Sequence, residues 1–504
     1  MSRPSRAREG PAGGVQPEAR RHTRSYGRPA LAALLGTALL GAVLCACSSA
    51  GTAAHRARSA TTTTKASAST TPSAPGAQTA WTTYGGSFLR TSVDTDDPAV
   101  SQAPKPAWTS AAPDGAIYGE PLVYSGGVFV ATENDTVYGY SASTGAPLWP
   151  ADHLATPAPA GALPCGDITP TVGITSTMVI DPSTGVLFAS AETGSAGAVE
   201  HFLFAIDTST GKVLWSRDLD QPGWTASAQL QRAGLALSGG DVLAGFGGNY
   251  GDCGDYSGWV VGVPESGSGR VIDYRVPTAR EGAIWAPAGI TVEQTGDVFV
   301  ATGNGSAVSG QPFDHGDAVI ELSPQLSELQ YFAPSNWTQL NEDDGDLGST
   351  SPIDLGNGEL FEVGKGGTGY LLDAGALGRI GGQVSSLSLC FSIGGGAYLA
   401  PDVYVVCNQQ GSIAQVTVGQ GGKLNRGWTW KSPTGGASSP TIAGGVLWSV
   451  DPGSSTLYGV YLANGTTLYS LPLHTGALAH FVAASAADRM LLVAGAGGVE
   501  AFDL

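Results

Sequence analysis

Read for alternation of apolar and polar positions, the chain breaks into short strands rather than helices. Apolar residues recur at every second position over four to seven residues, and a glycine-rich turn closes each run. The stretch PLVYSGGVFVATENDTVYGYSASTGAPLW, Pro121–Trp149, shows the whole unit. An apolar alternation, a Gly turn, a Val-Phe-Val-Ala run and a second turn lead to a third strand, which ends in a turn and a Trp. HFLFAIDTSTGKVLW, His201–Trp215, closes the second copy in the same way. Gly145 precedes Trp149, and Gly211 precedes Trp215, by the same four-residue step.

Looser copies follow over Gly239–Gly269 and from Thr295 to Pro324. Others cover Asn357–Gly375, Asp402–Gly419 and Gly444–Leu471, and the last ends the chain at Leu504. That makes eight. Units of ~40–50 residues with four strands each are the mark of propeller blades. The pattern predicts an all-β, eight-bladed β-propeller, with seven blades as the alternative. The last unit stops one strand short. Lys105–Thr109, ahead of the first full unit, can supply that strand, so the ring is expected to be closed by its N-terminal strand, with Trp108 in the place of Trp149 and Trp215.

The ends of the chain differ in texture. Seven Arg residues precede an apolar run over Pro29–Leu44, shorter than the ~20 residues a spanning helix needs and suited to a secretory signal. The run ends in Leu44-Cys45-Ala46-Cys47, which resembles the lipoprotein signal pattern. That resemblance implies cleavage before Cys47 and acylation of its thiol. An ordinary signal peptide cut near Ala46 or Ala50 is the alternative, and it would release a secreted protein. Residues 1–46 are thus expected to be a lipoprotein signal peptide. Residues 47–79, rich in Ala, Ser, Thr and Pro, offer too little apolar bulk to fold and are expected to be a disordered tether. The propeller fills 80–504.

Formal charge is −18 for the whole sequence. The leader holds seven Arg and two Glu, a net +5, so the remainder carries −23. Such an acidic chain is a poor partner for nucleic acid or anionic lipid. A monomer is expected, held to the membrane through a lipid anchor and free to take a protein partner on its loop face. Past the leader junction four cysteines remain, Cys165, Cys253, Cys390 and Cys407. An even number in an exported chain reads as disulfides. Cys165 is paired here with Cys253 and Cys390 with Cys407, one of three possible connectivities.

The tails ending Ser-Thr-Gly-Lys-Val-Leu-Trp and the opening WTTYGGSFLRT from Trp81 resemble the pyrroloquinoline-quinone (PQQ)-like, or quinoprotein alcohol dehydrogenase-like, propeller family, over nearly all of residues 81–504. Four stretches resemble its dehydrogenase branch. By that resemblance Trp285, in GAIWAPAGI, is the floor under a quinone. Asn304, in ATGNGS, is a metal ligand. In DDGDLGSTSP, Asp344 is the catalytic base and Asp346 the extra carboxylate of lanthanide-using members. Lys365, in GKGGTGYLLD, is the cation at the quinone oxygen.

The residue types suit the chemistry. A flat quinone needs an aromatic floor. A hard cation takes oxygen ligands and acts as a Lewis acid, and a carboxylate can accept the substrate proton. Two departures count against it. No pair of adjacent cysteines exists, and the third-blade segment GGNYGDCGDYSGW holds no Glu where the family's metal ligand stands. Asp252 or Asp255 could substitute. No cofactor is therefore certain; PQQ with calcium or a lanthanide is the candidate. Two functions follow: an extracytoplasmic binding or scaffold protein with a partly degenerate pocket, or an active PQQ- and metal-dependent alcohol or aldehyde dehydrogenase.

Overall fold

Short amphipathic strands such as these cannot form a stable sheet alone, because both faces of each small sheet are apolar. The computed structural model, which describes residues 80–504 apart from 196 and 197, shows how the chain satisfies them. Eight sheets stand around one axis, each built on an antiparallel meander of four strands; in blade 4 a short fifth strand, Arg379–Ile380, pairs parallel at the outer edge. Their innermost strands are Leu122–Tyr124, Val179–Asp181, Ala236–Ser238, Thr291–Val292, Ile353–Asp354, Ala397–Leu399, Thr441–Ala443 and Ser485–Ala487, in blades 1 to 8. Apolar side chains fill every seam between neighbouring blades. Phe188 of blade 2 shares one apolar cluster with Val242 of blade 3, and Phe299 of blade 4 another with Leu360 of blade 5.

The ring closes as its sequence predicts. Lys105–Thr109 lies antiparallel to Gly498–Asp503 and becomes the outer strand of blade 8. Trp108 then locks blade 8 to blade 1. Its ring lies so close to Gly145 that a Cβ there would fall 2.5 Å from it, and its Nε1 donates to Ala142 O at 2.7 Å. Trp149 sits on Gly211 of blade 2, and Trp215 sits on Gly267 of blade 3. The repeated four-residue step is therefore half of an interlock: at these seams one blade's glycine receives the previous blade's tryptophan. Trp428 and Gly465 repeat it between blades 6 and 7. These glycines have φ near +70° and lie in the turns between third and outer strands, at one end of the ring.

The opening motif has a role that its sequence does not announce. Eight inner strands leave eight rows of backbone groups facing the axis, and unpaired edges of that kind are costly to bury. Residues 81–94 run through the axis, and their backbone pairs with six of the eight. Trp81 bridges Val123 of blade 1, and Ile180 of blade 2 donates to Thr82 O. Val292 of blade 4, Asp354 of blade 5, Tyr398 of blade 6 and Ile442 of blade 7 donate to the carbonyls of Phe88, Leu89, Thr91 and Ser92. Arg90, 1% exposed, fastens this plug to blades 3 and 4 through Leu235 O and Ile290 O and ties its two arms together at Thr83 Oγ1 and Tyr84 O. Gly86, at φ +68°, lets the chain turn under Trp81, whose ring would meet any side chain there.

Both predicted disulfides form, Cys165–Cys253 and Cys390–Cys407. The signal peptide, Cys47 and the tether lie outside the described residues. Among the described residues, no helix is long and apolar enough to cross a membrane.

Trp108 is half-buried, so truncating it to Ala should cost about 1–3 kcal/mol, less than a fully buried aromatic. The measurement is the urea unfolding midpoint. Adding Gly145→Ala to that variant should cost less than the two single changes summed, because the docked ring is already gone.

Candidate functional site

In an up-and-down blade, the turn between second and third strands lies at the same end as the link into the next innermost strand. Trp285 and the Asp344–Asp346 segment occupy such links, into blades 4 and 5. Asn304 and Lys365 occupy the second-to-third turns of those same blades. All five sequence-predicted residues therefore fall on one face, opposite the tryptophan interlocks, and the structure brings their side chains together.

Asp344 caps the short helix Trp337–Asp343 in the left-handed conformation, φ 57°. The turn that follows folds back so tightly that a Cβ on Gly364 would meet Asp346 O at 2.2 Å. This approach places Lys365 between two carboxylates. Its Nζ lies 2.9 Å from Asp344 Oδ1 and 2.6 Å from Asp346 Oδ2. It also stands over the Trp285 ring, 5.6 Å from the centroid, a distance at which the ammonium is attracted to the indole face. Asn304 completes the group. Its backbone N–H donates to Asp346 Oδ1 at 2.8 Å, and its Nδ2 donates to Asp344 Oδ1 at 3.1 Å.

The electrostatics follow from burial. Asp346 is nearly enclosed; burial raises its pKa, while Lys365 pulls it back down. Burial alone would lower the Lys365 pKa, but Asp346 and Asp344 outweigh it and hold it above the usual lysine value. Asp317, which sequence reading missed, lies fully buried behind them. Its Oδ1 takes the N–H of Leu347 at 2.8 Å, its Oδ2 has no partner, and burial pushes its pKa well up. Only its placement before an apolar strand could have hinted at burial, and acids there are commonplace.

As a metal cradle the cluster is incomplete. One free acceptor, Asn304 Oδ1, is buried without a partner. Both oxygens of Asp346 are engaged, however, and the Lys365 ammonium stands where its charge would repel a cation. The third-blade loop adds no carboxylate to the cluster. Asp252 takes the Tyr256 hydroxyl at 2.5 Å, and Cys253 is tied to Cys165. Among the described residues no three His, Cys, Asp or Glu side chains are grouped to hold a metal ion. The arrangement suits a locked ion-pair network more than a hard-cation site.

Breaking that network from one side should be costly. Lys365→Met leaves Asp346 buried without its counter-charge and should destabilise by about 3–5 kcal/mol. The double variant Lys365→Met/Asp346→Asn should recover much of the loss, as read from the unfolding midpoint.

The family model described as "outer membrane protein assembly factor BamB" matches residues 91–198. No match was found among curated proteins. Several solved structures share the fold. A europium-containing methanol dehydrogenase superposes with a TM-score of 0.62 at 13% identity, over 84% of this chain and 98% of that one. The quinohemoprotein alcohol dehydrogenase of Comamonas testosteroni gives 0.60 at 16%, over 84% and 80%. BamB from Moraxella catarrhalis gives 0.52 at 14%, over 76% and 94%. At these identities the likeness carries the fold alone, and the same fold serves enzymes and scaffolds. Residues 91–198 thus match the model of a PQQ-like repeat family, and the chain shares the eight-bladed propeller fold of these structures.

Proposed function

We propose that this chain is an extracytoplasmic, lipid-anchored binding propeller, with a protein partner on its loop face and a quinoprotein-type pocket that has become an internal ion-pair network. The observation that carries this reading is Lys365 held between Asp344 and Asp346 over Trp285. A base already paired with an ammonium is poorly placed to take a substrate proton, and that ammonium stands over the floor aromatic. The two disulfides, both on this face, stiffen loops that a docking surface would present. The matched family description, an outer-membrane assembly factor, supports the same reading.

The second reading is a PQQ- and metal-dependent alcohol or aldehyde dehydrogenase that passes electrons to an external acceptor. The convergence of all five residues, with the free Asn304 Oδ1, favours it. PQQ would supply the two-electron acceptor. The chain would supply Trp285 beneath it, Asn304 and Asp346 toward a cation, and Asp344 toward the substrate hydroxyl.

Titrating the purified mature protein with PQQ in calcium, then in lanthanum, separates the two. The scaffold reading expects no complex at micromolar cofactor and no dye reduction with ethanol. A tight complex whose turnover disappears in Asp344→Ala would overturn it. For the anchor, Cys47→Ala should move the protein from the detergent phase to the aqueous phase of a cloud-point partition; an unchanged partition would remove the lipid from the account.

A further inference from the structure

Away from Lys365, the same face holds a second charged group whose partner is missing. Arg232 stands in the link from blade 2 into blade 3, above the plug residue Tyr84. Groups from three other links meet it: Thr175 before blade 2, His480 before blade 8 and Tyr118 before blade 1. Arg232 is 6% exposed. It donates to Thr175 O and His480 O, both at a long 3.4 Å, and the Tyr118 ring covers it at 5.8 Å. A guanidinium has five N–H donors in a fixed fork, so most of these have no acceptor, and no ion pair to Arg232 forms among the described residues. Next in the chain to Thr175, the Ser176 hydroxyl, in a residue 1% exposed, is also without a partner.

A buried, unpaired cation is among the costliest things a fold can carry. Arg90 shows what a structural arginine looks like in this protein: its donors are spent on carbonyls and a hydroxyl of the plug and of blades 3 and 4. Arg232 differs in that only two long hydrogen bonds engage its fork. The rim above it is also built. Asp167, in the loop pinned by Cys165–Cys253, lies with Oδ2 3.5 Å from His480 Nδ1. We infer that Arg232, with Tyr118 across its face, is a seat for a single carboxylate at the mouth of the propeller axis.

The chemistry of the surroundings selects the ligand class. A carboxylate matches the fork with two parallel hydrogen bonds. Glu133 and Asp167 lie within electrostatic reach of the guanidinium, so a dianion such as phosphate meets more repulsion than a monoanion. Tyr118, with Phe481 next to His480 in the chain, offers aromatic surface to an organic body rather than to a bare ion. The carboxylate can come from a small organic acid or from the C-terminus of a peptide. This inference does not depend on how the Lys365 cluster is read.

The test is calorimetric titration of the mature protein at constant ionic strength, with thermal unfolding alongside. The probes are benzoate, inorganic phosphate, and acetyl-Gly-Gly-Phe as free acid and as amide. At least one carboxylate should bind saturably with Kd near or below about 1 mM and raise the unfolding temperature. The amide and phosphate should not. Benzoate alone identifies a small acid, and the peptide acid alone identifies a C-terminus. Arg232→Met should abolish binding while the ligand-free protein melts no lower than wild type. Arg232→Lys, which keeps the charge and loses the fork, should weaken binding by about tenfold or more. Three results would overturn the seat: no carboxylate effect, an effect that survives Arg232→Met or is matched by phosphate or the amide, or a drop of several degrees in ligand-free Arg232→Met, which would mark Arg232 as a counter-charge to Glu133.

Discussion

The backbone edges facing the axis set the terms for this molecule. Eight small sheets can hide their apolar faces against each other, but their innermost strands still turn unpaired N–H and C=O groups inward. Residues 81–94 answer that need by visiting six of the inner strands in order around the circle, with Arg90 as the fastening at the centre. Outer closure by Lys105–Thr109 and inner closure by the plug come from neighbouring stretches of the same N-terminal segment. The ring is thus tied at rim and hub by fewer than thirty residues.

From that closure comes a division of labour between the two ends. One end carries the tryptophan–glycine interlocks, which are apolar, repetitive and structural. The other carries the links and turns, where both disulfides, the Lys365 cluster and Arg232 are found. The plug fills the shaft, so whatever binds on the loop face meets a floor at Tyr84 rather than a channel. Ligand recognition on this face is set by side chains that the links bring in from several blades at once.

Much of the fold was legible because blades repeat and each is local in sequence. The four-residue step at Gly145–Trp149 and Gly211–Trp215 was visible as a pattern, and its meaning needed only the partner glycine in the next blade. The missing strand was countable. The five cluster residues were found by family resemblance, and their meeting follows from the blade topology; that Lys365 would bridge both aspartates could be suspected, but not its place over Trp285. The hub was not legible. Arg90 reaches Ile290 across two hundred positions, and no local period marks such a contact. Arg232 and Asp317 were missed for the same reason, since a lone Arg in a loop and a lone Asp before a strand carry no signal until the ring assembles them.

The most direct test of the central claim is to delete residues 80–94 and keep the closure strand Lys105–Thr109. Urea unfolding is then followed by tryptophan fluorescence and far-ultraviolet circular dichroism together. If the plug holds the hub, the deletion should lose the cooperative transition of the intact chain, or show it at a much lower midpoint with the two signals no longer coincident. An unchanged midpoint and slope, with both signals still superimposed, would contradict the account.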